Sequence, residues 1–224
     1  MNDLIREWHE REIDFYAPQF SSRKEAEDFY EFVRSHNSET DTPMQMLHQV
    51  YNFVTLAIDI EKIRPARDGL RLVFVKTCLE ALAVLSGYKK PDFYKMFSSF
   101  FSDEGKDYIL SNFKLISFSI EVSGHTVDTH ADLTIDNVLD IIKIVRDKTV
   151  HDCDYWSFQM FAQDDDSTWF SQLDTDKKVQ SLHNTNGTVQ YHFSTTLQFN
   201  KFIYYFMEAC IAFIKHYIST NCTH

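Results

Sequence analysis

Residues 134–151 read TIDNVLDIIKIVRDKTVH, and the spacing of the apolar residues in this stretch decides the fold class. The apolar positions are Ile135, Val138, Leu139, Ile141, Ile142 and Val145. They recur every three or four residues, which predicts the inward face of an amphipathic helix. Thr134 supplies an N-terminal cap for this helix. The run RDKTVH, residues 146–151, then falls on its C-terminal part.

Helical spacing continues on both sides of this stretch. The first predicted helix begins at the capping box of Ser22 and Glu25, and the second runs from Pro43 to just before Pro65. Further helices are predicted from about Arg67 to Leu85, over residues 91–101 and over residues 103–115. A last helix begins at about Thr196 and closes the chain. Only 5 glycines and 4 prolines occur in 224 residues, so long uninterrupted elements are expected. The sequence therefore predicts a mainly α protein.

Two segments lack the helical period. Residues 116–132 are predicted to be a loop or a short hairpin. Beyond Trp156, apolar and polar residues alternate in WSFQMF, TWF and TVQYHF, which predicts a small antiparallel β insertion over residues 155–194, before the C-terminal helix. Because no repeat or linker occurs, we expect a single domain over residues 1–224, in which residues 1–42 form an N-terminal helical extension.

Charge and composition exclude several classes of protein. The net charge of -11 argues against non-specific coating of nucleic acid, and no DNA partner is expected. Residues 61–95 nevertheless carry eight lysines and arginines against four acids, which favours a local positive field. The four cysteines lack zinc-type spacing, and no phosphate-binding glycine loop occurs, so neither a metal nor a cofactor is expected. His125 and His130 lie close to Asp128 and Asp132 in sequence, without the spacing of a standard metal site.

The cysteine pattern and the charged start of the chain, MNDLIREWHERE, favour a reducing compartment. No apolar run approaches the length that crosses a bilayer, and no membrane association is expected. The predicted location is therefore the cytoplasm.

Arg146 and His151 are separated by four residues on a helix of a helical protein, which resembles the R-x4–6-H signature of the HEPN ribonuclease superfamily. The segment Cys78-Leu79-Glu80-Ala81-Leu82 resembles the LEAL helix that often precedes this signature in the ApeA-like branch. The resemblance covers about residues 45–218, and it implies a HEPN-like helical bundle.

The resemblance implies a metal-independent endoribonuclease, in prokaryotic defence or in a toxin-like system, that acts as a homodimer on RNA. In this interpretation His151 is the acid or base and Arg146 binds the scissile phosphate. Asp147 would orient its neighbours. Further candidates are Lys148, Arg67 and Arg71, which would border an RNA-binding cleft, and Glu80, which would hold Arg146 in place or, alternatively, face solvent beside Lys76.

The alternative is a non-catalytic HEPN-like module that binds a nucleotide, an RNA or a protein. Asp152 stands where many family members have glycine, and an acid beside the histidine disfavours phosphate binding. Arg146 and His151 lie about 140° apart around an ideal helix, so they converge only if the helix ends or bends between them, or if two chains share a site. Cys153 replaces the tyrosine found in the antitoxin-controlled branch, and the nearest tyrosine is Tyr155.

Overall fold

A computed structural model describes residues 3–36, 41–122, 125–129, 134–151, 153, 158, 160, 169–180 and 186–222. Over these ranges the protein is mainly helical, as the sequence predicted. The α-helices are α1 Asp3–Tyr16, α2 Arg23–Ser35, α3 Thr42–Ile63, α4 Asp68–Ser86, α5 Lys90–Phe97, α6 Asp103–Asn112, α7 Ile135–His151 and α8 Phe199–Asn221. The strands are β1 Phe113–Val122, β2 His125–Thr129, β3 Trp169–Gln180 and β4 Asn186–Thr195. None of the described helices combines the length and the apolarity that a bilayer crossing needs.

Helix starts follow the predicted caps. The Ser22 hydroxyl accepts a hydrogen bond from the Glu25 amide at 3.2 Å, and the Glu25 carboxylate accepts one from the Ser21 amide at 3.2 Å. The Thr134 hydroxyl accepts a hydrogen bond from the Asn137 amide at 3.3 Å at the start of α7. The Glu25 and Asn137 amides belong to first turns, where backbone amides lack helical partners, and these contacts satisfy them.

The chain divides into two compact units. The first comprises Met1–Leu56, Thr77–Ser102 and Ile203–His224. Its core is rich in phenylalanine: the ring of Phe93 lies 5.3 Å from that of Phe213, edge to face, and 5.6 Å from that of Phe97. Such pairs add specific geometry to the burial of a large apolar area.

The predicted N-terminal extension, residues 1–42, carries α1 and α2, and both belong to the first unit. The Tyr16 hydroxyl donates to the Leu47 carbonyl of α3 at 2.7 Å. The buried Glu12 carboxylate contacts Nδ1 of His48 at 2.7 Å and accepts a hydrogen bond from the Tyr30 hydroxyl at 3.0 Å. One side chain of α1 therefore contacts both α2 and α3.

The second unit comprises Ala57–Lys76 and Asp103–Phe202, and it contains one antiparallel sheet in the strand order β2-β1-β4-β3. The small antiparallel β insertion predicted for residues 155–194 is not seen as a sheet of its own. Instead, β4 pairs with β1, which lies much earlier in the chain, as well as with β3, so that β4 has a neighbour on each side. Alternation of apolar and polar residues predicts that a segment is extended, but it does not identify its partner strand.

Candidate functional site

The helix that carries the predicted site, α7, is anchored by one buried face. Its buried residues are Ile135, Val138, Leu139, Ile141, Ile142, Ile144, Val145 and Thr149. The predicted inward face is a subset of these residues, and Ile144 and Thr149 widen it. Lys143 and Val150 lie on the exposed side. The buried face thus fixes the C-terminal turns of α7, and the opposite face of these turns is exposed to solvent.

Arg146 and Asp147 form an ion pair near the end of α7. The Arg146 Nη1 donates to Oδ1 of Asp147 at 2.7 Å. The Arg146 side chain is 25% exposed and the Asp147 side chain is 41% exposed. A neighbouring carboxylate limits the orientations of the guanidinium. The orienting role of Asp147 in a catalytic site stays a prediction. The same carboxylate also offsets the positive charge that a phosphate would meet.

His151 is the last residue of α7 and is exposed. The helix runs without interruption from Arg146 to His151, so the end or bend that would let them converge within one chain is absent. Cys153, two residues further on, has a φ of 55°, the left-handed conformation that often follows the end of a helix. At 3.6 residues per turn, Arg146 and His151 diverge by about 140°. One copy of α7 therefore does not bring Arg146 and His151 to one face of the helix. Lys148, which is half-buried and lies between them in sequence, does not change this separation.

The two arginines predicted to border an RNA cleft have different surroundings. Arg67 is half-buried and donates to the carbonyl of its neighbour Ala66 at 3.1 Å. Arg71 is buried and donates to Oδ1 of Asp68 at 3.1 Å and to Glu61 at 3.3 Å. Binding of RNA by Arg71 would require this network to open, so the role that the geometry gives it is structural.

Glu80 is half-buried on α4 and belongs to the first unit, whereas Arg146 belongs to the second. Its predicted pairing with Arg146 stays a prediction.

Sequence reasoning missed the cluster around Asp68. This carboxylate is buried, and its Oδ2 accepts a hydrogen bond from the Met160 amide at 2.5 Å. Burial raises the pKa of Asp68, although the Met160 amide and Arg71 oppose the shift. Burial also lowers the pKa of Arg71, against the attraction of Asp68. An acid three residues before an arginine at a helix start was the available signal, but it does not show that the pair is buried.

No group of three or more potential ligands that could hold a metal ion occurs among the residues the structure describes. The His130 and Asp132 positions lie outside those residues. An open groove of about 410 Å³ lies in the first unit and contains none of the predicted site residues. Its lining consists of Phe20, Glu25, Asp28, Phe29, Phe32 and Lys215.

Comparisons with known proteins supply no family for this arrangement. No protein-family model matches the chain, and neither a curated protein nor a solved structure matches it.

Proposed function

We propose that this chain is a metal-independent endoribonuclease with a HEPN-like helical bundle, acting in the cytoplasm in a defence or toxin-like system. The observation that carries the proposal is the end of α7, where a half-exposed arginine held by Asp147 is followed by an exposed histidine. Arginine offers a planar fork for a phosphate, and histidine exchanges protons near neutral pH. Proton transfer and stabilisation of a phosphate charge are the two functions that transesterification of RNA requires.

In the proposed reaction, the ribose 2′-oxygen attacks the adjacent phosphorus and the bond to the 5′-oxygen of the next nucleotide breaks. His151 takes the proton from the 2′-hydroxyl or donates one to the departing 5′-oxygen, and water carries the other of these two protons. Arg146 stabilises the charge that develops on the phosphate oxygens. The products are a 2′,3′-cyclic phosphate end and a free 5′-hydroxyl end, with no change in oxidation state.

The proposal requires two copies of the chain. Because the unbroken α7 separates Arg146 from His151, a complete site would combine Arg146 of one protomer with His151 of its partner. We therefore propose a symmetric homodimer whose interface includes α7.

The first test is cleavage of structured RNA by the purified protein in EDTA, with analysis of the product ends. We expect His151→Ala to lower the rate by about 10²–10⁴, the usual contribution of an acid or base. Arg146→Lys should fold normally and lose about 10² in rate, because lysine keeps the charge without the planar fork. His216→Ala, at an exposed position on α8, is a control that should leave the rate unchanged.

Complementation tests the shared site. Co-expressed Arg146→Lys and His151→Ala chains form heterodimers in which one of the two sites is intact, so about a quarter of the wild-type activity should return. No recovery in a proven heterodimer would place both residues in one protomer. Cleavage that resists both substitutions would remove this site from the reaction.

A non-catalytic module that binds a nucleotide, RNA or protein is the second candidate. The pairing of Arg146 with Asp147 and the net charge of -11 favour it, since both weaken the attraction for phosphate. RNA binding without cleavage, lost in Arg146→Lys, would support this candidate.

A further inference from the structure

The last turn of α7 touches the first turn of α4 at one glycine. A Cβ atom added to Gly69 would lie 2.7 Å from Oγ1 of Thr149, a separation that real Cβ atoms essentially never show. Thr149 is almost fully buried and lies two residues before His151. The glycine therefore allows the α4 backbone to approach the end of α7 more closely than any other residue would.

The chain that follows His151 returns to the same turn of α4. Asp68 precedes Gly69, and its Oδ2 accepts the Met160 amide hydrogen bond at 2.5 Å. Phe158, two residues before, is buried with its ring stacked 6.3 Å from that of Phe113. The described residues of this segment are neither helical nor extended in a strand, so their backbone amides need partners such as this carboxylate.

Arg71 fixes the carboxylate that receives this hydrogen bond. Its guanidinium donates to Oδ1 of Asp68 and to the Ala57 carbonyl at 3.3 Å, and it lies 3.3 Å above the ring of Phe199. With one oxygen held by Arg71, the other is directed at Met160.

We propose that the first turn of α4, residues 68–71, is a positioning element for His151. It fixes the chain before His151 through Gly69 and Thr149, and the chain after it through Asp68 and Met160. An exposed histidine at a helix end needs such support to meet a phosphate repeatedly in one geometry. This inference rests on the proposed nuclease function, and none of these positioning residues touches the reacting atoms.

The test is a rescue experiment. Gly69→Ala should lower kcat by about tenfold or more with little change in KM, because the added methyl displaces Thr149 and with it His151. Gly69→Ala/Thr149→Ala should recover activity, since the nearest Thr149 carbon atoms lie 3.9 Å from the new Cβ. Gly69→Ala/Thr149→Val should not recover it, because valine keeps an atom at the Oγ1 position. These two double variants separate steric displacement from the loss of the hydroxyl.

Gly87→Ala is the matched control for destabilisation. Gly87 has a φ of 75° with nothing within 4 Å of an added Cβ, so alanine there strains the backbone without a clash. It should lower the melting temperature and leave the cleavage rate per folded protein unchanged.

The NMR signals of the His151 ring, assigned with His151→Ala, give a readout that does not depend on cleavage. We expect them to shift in Gly69→Ala and to return in Gly69→Ala/Thr149→Ala. Unchanged ring signals in Gly69→Ala would overturn the positioning role, whether or not RNA is cleaved. A wild-type protein that does not cleave RNA while these signals shift and return would refute the nuclease and keep the positioning element.

Discussion

Glu12 in the first unit and Asp68 in the second are both buried carboxylates, yet they are held by different kinds of donor. Glu12 accepts a hydrogen bond from the Tyr30 hydroxyl and contacts the His48 imidazole, partners 18 and 36 residues away along the chain. Asp68 is held by a guanidinium on its own helix and by the Met160 amide, 92 residues away. The first carboxylate joins helices through side chains, and the second joins a helix to irregular backbone.

This difference has an energetic consequence. A helix already satisfies most of its backbone groups, so Glu12 adds cross-links between elements that are formed independently of it. The Met160 amide is not in a helix or strand, and Asp68 supplies its acceptor. Asp68 also lies beside a buried cation, so removal of one member of its pair leaves a charge in a poorly solvated place.

The largest effect is therefore expected from Arg71→Met, which keeps much of the side-chain volume and strands the Asp68 carboxylate. The side chains of Arg71 and Asp68 are 8% and 5% exposed, and breaking such a buried pair costs about 3–5 kcal/mol. Urea unfolding measures the loss. Arg71→Met/Asp68→Asn should recover much of it, because no charge is stranded and the asparagine carbonyl still accepts from Met160. A double variant no more stable than Arg71→Met would contradict the role given to charge.

A smaller loss is expected from Tyr30→Phe, which removes the hydroxyl from the Glu12 carboxylate and keeps the ring. A hydrogen bond to a buried charged group contributes about 1.5–3 kcal/mol, and the remaining His48 contact keeps the carboxylate from being isolated. Tyr204→Phe, at a tyrosine that is 42% exposed, is the matched control and should be almost neutral. Equal losses in the two variants would show that the Glu12 contact adds nothing.

The comparison also predicts a pH dependence for Asp68. Burial raises its pKa above the ordinary value of 3.8, so the folded state binds a proton at pH values where the unfolded state has released it. The contribution of Asp68 to stability is thus largest below 3.8 and decreases as pH rises through the folded pKa. The free energy of unfolding of wild type minus that of Asp68→Asn should therefore fall as the pH rises from 3.8 through the raised pKa of the folded state. An increase over this range would mean that the pair with Arg71 outweighs burial.

Sequence patterns predicted the features whose partners are close along the chain. Ser22 and Glu25, or Thr134 and Asn137, are three residues apart, so the caps that start α2 and α7 are visible as local patterns. The proximity of Arg146 and Asp147 is local in the same way.

Distant partners were not predictable from those patterns. The sequence does not show that Gly69 meets Thr149, that Asp68 receives the Met160 amide, or that β4 pairs with β1. Each contact depends on tertiary packing between segments that are far apart in sequence. The sequence did show that an unbroken helix would keep Arg146 and His151 apart, but only the structure shows that α7 continues unbroken to His151.

The smallest effect is expected at an exposed ion pair in the second unit, the unit that also contains Asp68. Lys62 contacts Asp59 at 2.8 Å on α3, with side chains that are 76% and 40% exposed. Water screens this pair and its long side chains lose freedom when they are held, so Lys62→Ala should change the free energy of unfolding by less than about 0.5 kcal/mol. Its distance is shorter than the 3.1 Å between Arg71 and Asp68, so distance alone would rank it as the stronger pair. If urea unfolding gave Lys62→Ala a cost near that of Arg71→Met, burial would not be the reason that Asp68 and Arg71 matter.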